Sequence, residues 1–570
     1  MNIQRILVPL LFPLIAAVGA SILRLQGTAW VNWALLVLIS VYVCKLMLGE
    51  EPTTGESVAA LYGIGLSLAF LNAFRSPFVS MNGDIPFEQY VLLQVLESGW
   101  ALDMFNGSES WMRYVGLTSL TAYPMMLGKL TGLGADTFRV GYRVIEAAIP
   151  VIVFGAFDRI ASRKAALAAA LLFAFQFVFT TLIGSIARMS IAFVLFFTLV
   201  IVYTRPDIQS SRRVPLLGLL FIGVSLSHYT VALLTIAIFI GYQIVRLGAG
   251  VGYKLTQLDS LTRLSQAPPA SLNLTVLFAA ILFLWYGYVT TEILVGIAGS
   301  VGGLLSSLDS LFVTSSSSAG NSTVSIGGLL TRAVYYGTIV LGGVGFLTLW
   351  WRPEDESIPP MWHVLGGTAF LGLGATFVVT QVFGGYGPFR VFYQVLPFIA
   401  LPMILGLARF SNRIASMTIG ENRNVAQIAI AAFLIVHLLA GTYAIYELSG
   451  ESYGEMLSAD GDRVDVSVID PEEDGMARWS AAYIPSGTTI WADYHGEHIV
   501  VRYRAVDGED GIGFSGPGRD AVSGCIALRD ENVDQQMLNT KFRGKVDLSS
   551  IDHLLEKRSK VYSSGSSVYC

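Results

Sequence analysis

Residues 214–245 read VPLLGLLFIGVSLSHYTVALLTIAIFIGYQIV and contain no Asp, Glu, Lys or Arg. A helix rises about 1.5 Å per residue, so roughly 20 apolar residues cross the hydrocarbon of a bilayer. This stretch is too long for one crossing and too apolar for a water-facing surface. Its polar residues, Ser225, Ser227, His228 and Tyr229, gather at the middle. The expected structure is therefore two helices meeting at a polar turn.

Comparable apolar windows lie near residues 6–23, 30–48, 57–74, 140–157, 165–183, 189–204, 272–293, 327–350, 362–381, 390–408 and 425–446. With the pair at 214–245 they make about thirteen spans. The chain has 570 residues, 53% of them hydrophobic and 14% charged. A soluble domain carries roughly 25% charge, so a string of soluble domains is excluded. Three cysteines and glycines without a strict period exclude disulfide-scaffold and collagen classes. A net charge of −5 gives no reason to expect nucleic acid as a partner. Glycine groups inside spans, such as GGVGF at 342–346, read as places where helices approach closely.

The acidity is concentrated at the C-terminus, where residues 450–570 hold 21 acidic against 12 basic residues. This segment reads as a separate water-exposed domain, following a membrane domain over 1–449. Alternating runs such as TTIWADY and HIVVRYRAV predict strands in it, hence a mixed α/β fold. Cys525 and Cys570 share the tail and are read equally well as a disulfide or as two free thiols. Orientation follows from Lys and Arg in short loops, which favour the cytoplasmic side. With the N-terminus inside, about fifteen fall on inner connections and three, Arg24, Arg188 and Arg390, on outer ones. An odd number of spans then places the tail outside. Two long loops, 75–139 and 297–326, fall outside with it. The first contains candidate interfacial helices at 91–105 and 117–130, with Trp100 and Trp111 as anchors.

Ionisable side chains near membrane depth are costly and mark functional sites. The isolated ones share one side: Asp84 and Glu88 in MNGDIPFEQY, Arg188 in GSIARMS, His228 in SLSHYT, and Arg390 in GGYGPFRVFYQ. Each also has a plainer reading. Asp84 suits a helix N-cap, Glu88 a solvated helix face, the arginines contacts to lipid phosphates, and His228 a buried core position. Together they suit displacement at a sugar's anomeric carbon from a lipid phosphate. Asp84, with Glu88 beside it, would take the proton from the acceptor hydroxyl. Arg188, His228, Tyr229 and Arg390 would hold the departing phosphate. Walker, HExxH and GxSxG motifs and Cys/His metal spacings are missing from the sequence. No metal and no other cofactor is expected; Asp84 and Glu88 offer oxygens to a divalent cation, but two ligands do not define a site.

With GDIPFEQY, SLSHYT, the exterior TTIWADYHGEHIVVRYR and the terminal SKVYSSGSSVY in view, the chain resembles the GT-C superfamily of lipid-phosphosugar glycosyltransferases. More narrowly it is similar to an archaeal group that includes dolichol-phosphate-mannose mannosyltransferases of N-glycosylation. The resemblance implies a polyprenyl- or dolichyl-phosphate sugar donor, with mannose as the sugar, a glycan or glycoprotein acceptor, an inverting reaction and a place in the cell membrane among its lipids. It departs from the superfamily in two respects. The acidic loop follows the third span rather than the first, and Asp84 and Glu88 are four residues apart rather than adjacent. Two other functions compete. A glycan polymerase or ligase would rely on outer-loop Arg and His without a carboxylate, and a lipid or sugar transporter would place charges near the midplane and repeat its halves.

Overall fold

The computed structural model describes residues 3–75, 85–100, 114, 116–182, 187–205, 207–256, 259–268, 272–289, 325–351, 358–383, 388–418, 424–454, 456–459, 469, 471–485, 488–501, 503, 524–540 and 544–570. The fold is mostly α, a bundle of apolar helices followed by a small C-terminal α/β domain. Among the described residues, nine helices are long and apolar enough to cross a membrane.

The 214–245 stretch divides where its polar residues lie. One helix runs Ser210–Ser227, His228 is extended, and the next helix runs Tyr229–Thr256. The His228 N–H closes the first helix on the Val224 carbonyl at 2.8 Å, and its own carbonyl accepts from Ala232 at 3.1 Å. Other expected spans are less regular. The one at 140–157 is divided into Gly141–Glu146 and Ala148–Phe157. Pro150 has no N–H to return to the Glu146 carbonyl, which is where the helix yields. The one at 165–183 is helical over Arg163–Ala174, then passes through Gln176 into a wider turn at Val178–Leu182.

The expected helix at 91–105 instead runs Ile85–Ser98. Pro86 suits a first helical turn, and Gly99, at φ +81, ends the helix in a conformation that other residues adopt poorly. Trp111, its expected anchor, lies outside the described residues, as do residues 297–324 of the second long loop. The helix expected at 117–130 runs Ala122–Thr131 and exposes Tyr123, Met126 and Leu130 along one face, the pattern of a helix lying in a membrane interface.

The two ends of the bundle differ in their partners. At one end Arg5 pairs with Glu50 and Glu56, Arg163 with Asp158, and Arg159 with Asp207. At the other, Asn32 donates to the Met456 carbonyl at 2.7 Å, Arg75 to the Ala459 carbonyl at 2.9 Å, and the Gly327 N–H to Glu451 at 3.1 Å. This second end therefore carries the C-terminal domain. Helix packing is close where glycines were expected to permit it. A Cβ on Gly345 would overlap the Pro402 carbonyl, and one on Gly406 would lie 2.5 Å from Gly345 Cα.

In the C-terminal domain, strands β1 (Ile490–Trp491), β2 (Cys525–Leu528), β5 (Lys560–Ser564) and β6 (Ser566–Tyr569) form one sheet in the order β1-β2-β6-β5. β1 is parallel to β2 and the remaining pairs are antiparallel. A separate hairpin joins β3 (Met537–Thr540) and β4 (Gly544–Asp547). Alternation along β2 sends Cys525 and Ala527 into one apolar cluster and Ile526 and Leu528 into another. Cys525 and Cys570 form a disulfide. The sequence predicts a strand over HIVVRYRAV. The HIVV of HIVVRYRAV is not a strand but part of a helix, Tyr494–Val501. The Asp493 carboxylate accepts the Gly496 N–H at 2.7 Å and caps that helix, which outweighs the β preference of its Ile and Val residues.

Candidate active site

The helix over 85–98 has a buried stripe formed by Glu88, Val91, Leu92 and Val95, positions three, four and seven apart. Glu88 is thus the one charged member of an otherwise apolar face, and its side chain is fully buried. Its carboxylate has two partners at the start of the Ala187–Thr204 helix. Oε2 accepts the Ala187 N–H at 2.7 Å, and Oε1 accepts from the Arg188 guanidinium at 2.6 Å. The first N–H groups of a helix have no partner of their own and carry partial positive charge, so a carboxylate there is doubly favoured. A buried carboxylate and a buried guanidinium would each be costly alone, and pairing them offsets that cost.

The Arg188 guanidinium also lies over the Tyr114 ring, 5.6 Å from its centre. Tyr114 in turn lies parallel to Phe87, beside Glu88 in the chain, at 6.5 Å. The segment after Tyr114 binds the polar turn of 225–229. Thr118 N–H donates to the Leu226 carbonyl at 2.8 Å, and Ser119 Oγ to the Ser227 carbonyl at 2.8 Å. Tyr286 donates to the Ser225 carbonyl at 2.6 Å, and Trp285 to the Gly116 carbonyl at 3.1 Å. His228 is buried and stacks on Tyr229 at 5.4 Å. Tyr229 meets Tyr286 edge-on at 6.1 Å, and Tyr286 is near enough to Arg188 for its charge to act there. Glu88, Arg188, His228 and Tyr229 therefore belong to one connected network at the end that carries the C-terminal domain.

Arg390 is the third residue of the Pro388–Thr418 helix. Three residues on, Tyr393 packs against Phe193 at 5.3 Å, and Gln394 donates to the Val231 carbonyl at 3.2 Å. The helix starts at 187, 229 and 388 accordingly lie at the same end and at similar depth. Asp84 lies outside the described residues, and Ile85, its neighbour in the chain, opens the helix that carries Glu88. Among the described residues, no three His, Cys, Asp or Glu side chains group closely enough to hold a metal ion.

The sequence reading does not single out a second buried ion pair, Arg143 with Glu146, at 3.0 Å. Tyr393 lies close enough to Glu146 to feel its charge. The signal was an Arg and a Glu three apart in GYRVIE, inside an otherwise apolar run. Tyr114 and Tyr286 carry no comparable signal, because aromatic residues are frequent throughout the chain.

The family model described as "Predicted membrane protein (DUF2206)" matches residues 214–569. No curated protein matches the chain. Among solved structures, the chain is similar to the oligosaccharyltransferase of Archaeoglobus fulgidus in three forms. With the acceptor peptide containing the NVT sequon tethered by a disulfide, identity is 13% and the TM-score 0.49, over 84% of this chain and 69% of that one. With zinc and sulfate the values are 14% and 0.48 over 84% and 68%, and in the apo form 12% and 0.48 over 85% and 70%. At these values neither activity nor substrate carries over.

Proposed function

The chain belongs to the family described as predicted membrane protein (DUF2206), and from that premise we propose that it transfers a sugar from a polyprenyl- or dolichyl-phosphate donor to a glycan acceptor. The sugar is mannose in the narrower reading that the sequence resemblance supports. The protein is then a multi-pass cell-membrane enzyme with a cytoplasmic N-terminus and an extracytoplasmic C-terminal domain. The observation that carries the reading is the buried Glu88 carboxylate, held by Arg188 and by the start of its helix. A charged pair kept at such cost, at a junction of three helix starts, suits a site that handles phosphate.

In the proposed reaction Asp84 removes the proton of the acceptor hydroxyl. The acceptor oxygen attacks the anomeric carbon, the bond from that carbon to the phosphate oxygen breaks, and the lipid phosphate leaves with its electron pair. Attack from the side opposite the phosphate inverts the configuration. Arg188, Arg390, His228 and Tyr229 take the phosphate, for which a guanidinium's planar fork is well shaped. Glu88 acts through Arg188 as a positioning residue. A comparison of lipid-linked and protein-linked glycans from cells lacking the gene and from their parent tests the proposal. Glycans one sugar short, with the acceptor accumulating, are expected; identical glycans would overturn it.

A further inference from the structure

The face of the 85–98 helix opposite Glu88 borders an open cleft of about 480 Å³ against the C-terminal domain. Tyr90, Leu93, Gln94, Leu96 and Glu97 line one wall and Tyr503 the other. Tyr503 is fixed from behind. Its hydroxyl donates to Asp474 at 2.6 Å, the Arg478 guanidinium lies 5.2 Å over its ring, and it packs against the cluster of Ile469, Ala477 and Ile499. A ring held this way loses little freedom when a ligand stacks on it.

We propose that this cleft binds the acceptor as a neutral saccharide, an inference that rests on the transferase reading. The lining is mainly apolar with a few hydrogen-bonding groups, and its volume falls in the range of small-molecule sites, roughly 300–1,000 Å³. Tyrosine rings and leucines suit the C–H faces of a pyranose, while the Gln94 amide donates and accepts and the Glu97 carboxylate accepts from hydroxyls. The Glu97 carboxylate in this wall would repel an anionic ligand, so a neutral saccharide suits it better. Glu97 is nine residues beyond Glu88 on the same helix, about 13 Å along its axis. A saccharide of a few units seated here would reach the helix start, where Asp84 adjoins Ile85.

The test uses the full-length protein reconstituted in lipid, with the glycan fraction that accumulates in cells lacking the gene as acceptor. Gln94→Ala and Tyr503→Ala are expected to raise the acceptor KM by about tenfold, the equivalent of 1.4 kcal/mol, with the donor KM and kcat within about twofold of the parent. Leu93→Trp, which fills the cleft without removing the Tyr503 anchor, is expected to do the same. Unchanged acceptor KM in Gln94→Ala and Leu93→Trp, with transfer by the parent intact, would overturn the cleft alone. Absence of transfer by the parental protein would overturn the transferase reading and the acceptor assignment with it.

Discussion

Glu88 and Arg188 are a hundred residues apart in the chain, yet each is the other's partner in the fold. Removing one charge leaves the other buried without its opposite charge, which costs about 3–5 kcal/mol. Glu88→Gln is therefore expected to lower the thermal midpoint of the detergent-solubilised protein, and Arg188→Gln to do likewise. The double variant should recover part of the loss, and strictly additive losses would mean that the pair does not act as a unit. At Arg390 the expectation concerns the donor. Arg390→Lys keeps the charge but loses the planar fork, so donor KM should rise while acceptor KM stays the same; an unchanged donor KM would leave Arg390 a lipid anchor. Glu88, Arg188, His228 and Tyr229 were legible in the sequence by charge or by turn, whereas Tyr114 and Tyr286, which link them, were not. Nor was the pairing of Glu88 with Arg188, because burial and partner choice are set by helices far apart in the chain. Arg143 and Glu146 stood inside the apolar window at 140–157, where they read as part of a span, although charges at that depth are the costly ones.

At the scale of elements, the polar turn at 225–229 was legible because four polar residues interrupt an apolar run too long for one crossing. The helix that carries Glu88 was legible in kind but not in extent; Pro86 and Gly99, which set its limits, were the available signals. The HIVV segment misled because its β-branched residues suggest a strand until the Asp493 cap is considered. Glycine packing was read correctly, and it makes a further expectation. Gly406→Val places side-chain atoms against the Gly345 backbone, so the helices over 326–351 and 388–418 must separate. Overpacking of this kind costs about 1–3 kcal/mol. A fall in the thermal midpoint is expected, whereas a midpoint equal to the parent's would show that the two helices slide apart freely.

For the whole molecule, the C-terminal domain rests on the end of the bundle where the proposed site lies. Its disulfide, which spans a separation of 45 residues, gives this arrangement a test of side. A membrane-impermeant reductant followed by an impermeant thiol label should reach Cys525 and Cys570 in intact cells, and protection of both would contradict the proposed orientation. By the loop-entropy account the bond stabilises the domain by about 3–4 kcal/mol, so its reduction should loosen β2 and β6 before the bundle responds. The central claim is that a carboxylate beside the Glu88 helix drives sugar transfer from a lipid phosphate. The most direct measurement is the rate of labelled-sugar transfer by purified protein in proteoliposomes, for the parent and for Asp84→Asn, with membrane insertion and thermal midpoint matched. Loss of a general base predicts a fall of about 10²–10⁴-fold in Asp84→Asn; transfer by Asp84→Asn at the parental rate would contradict the account.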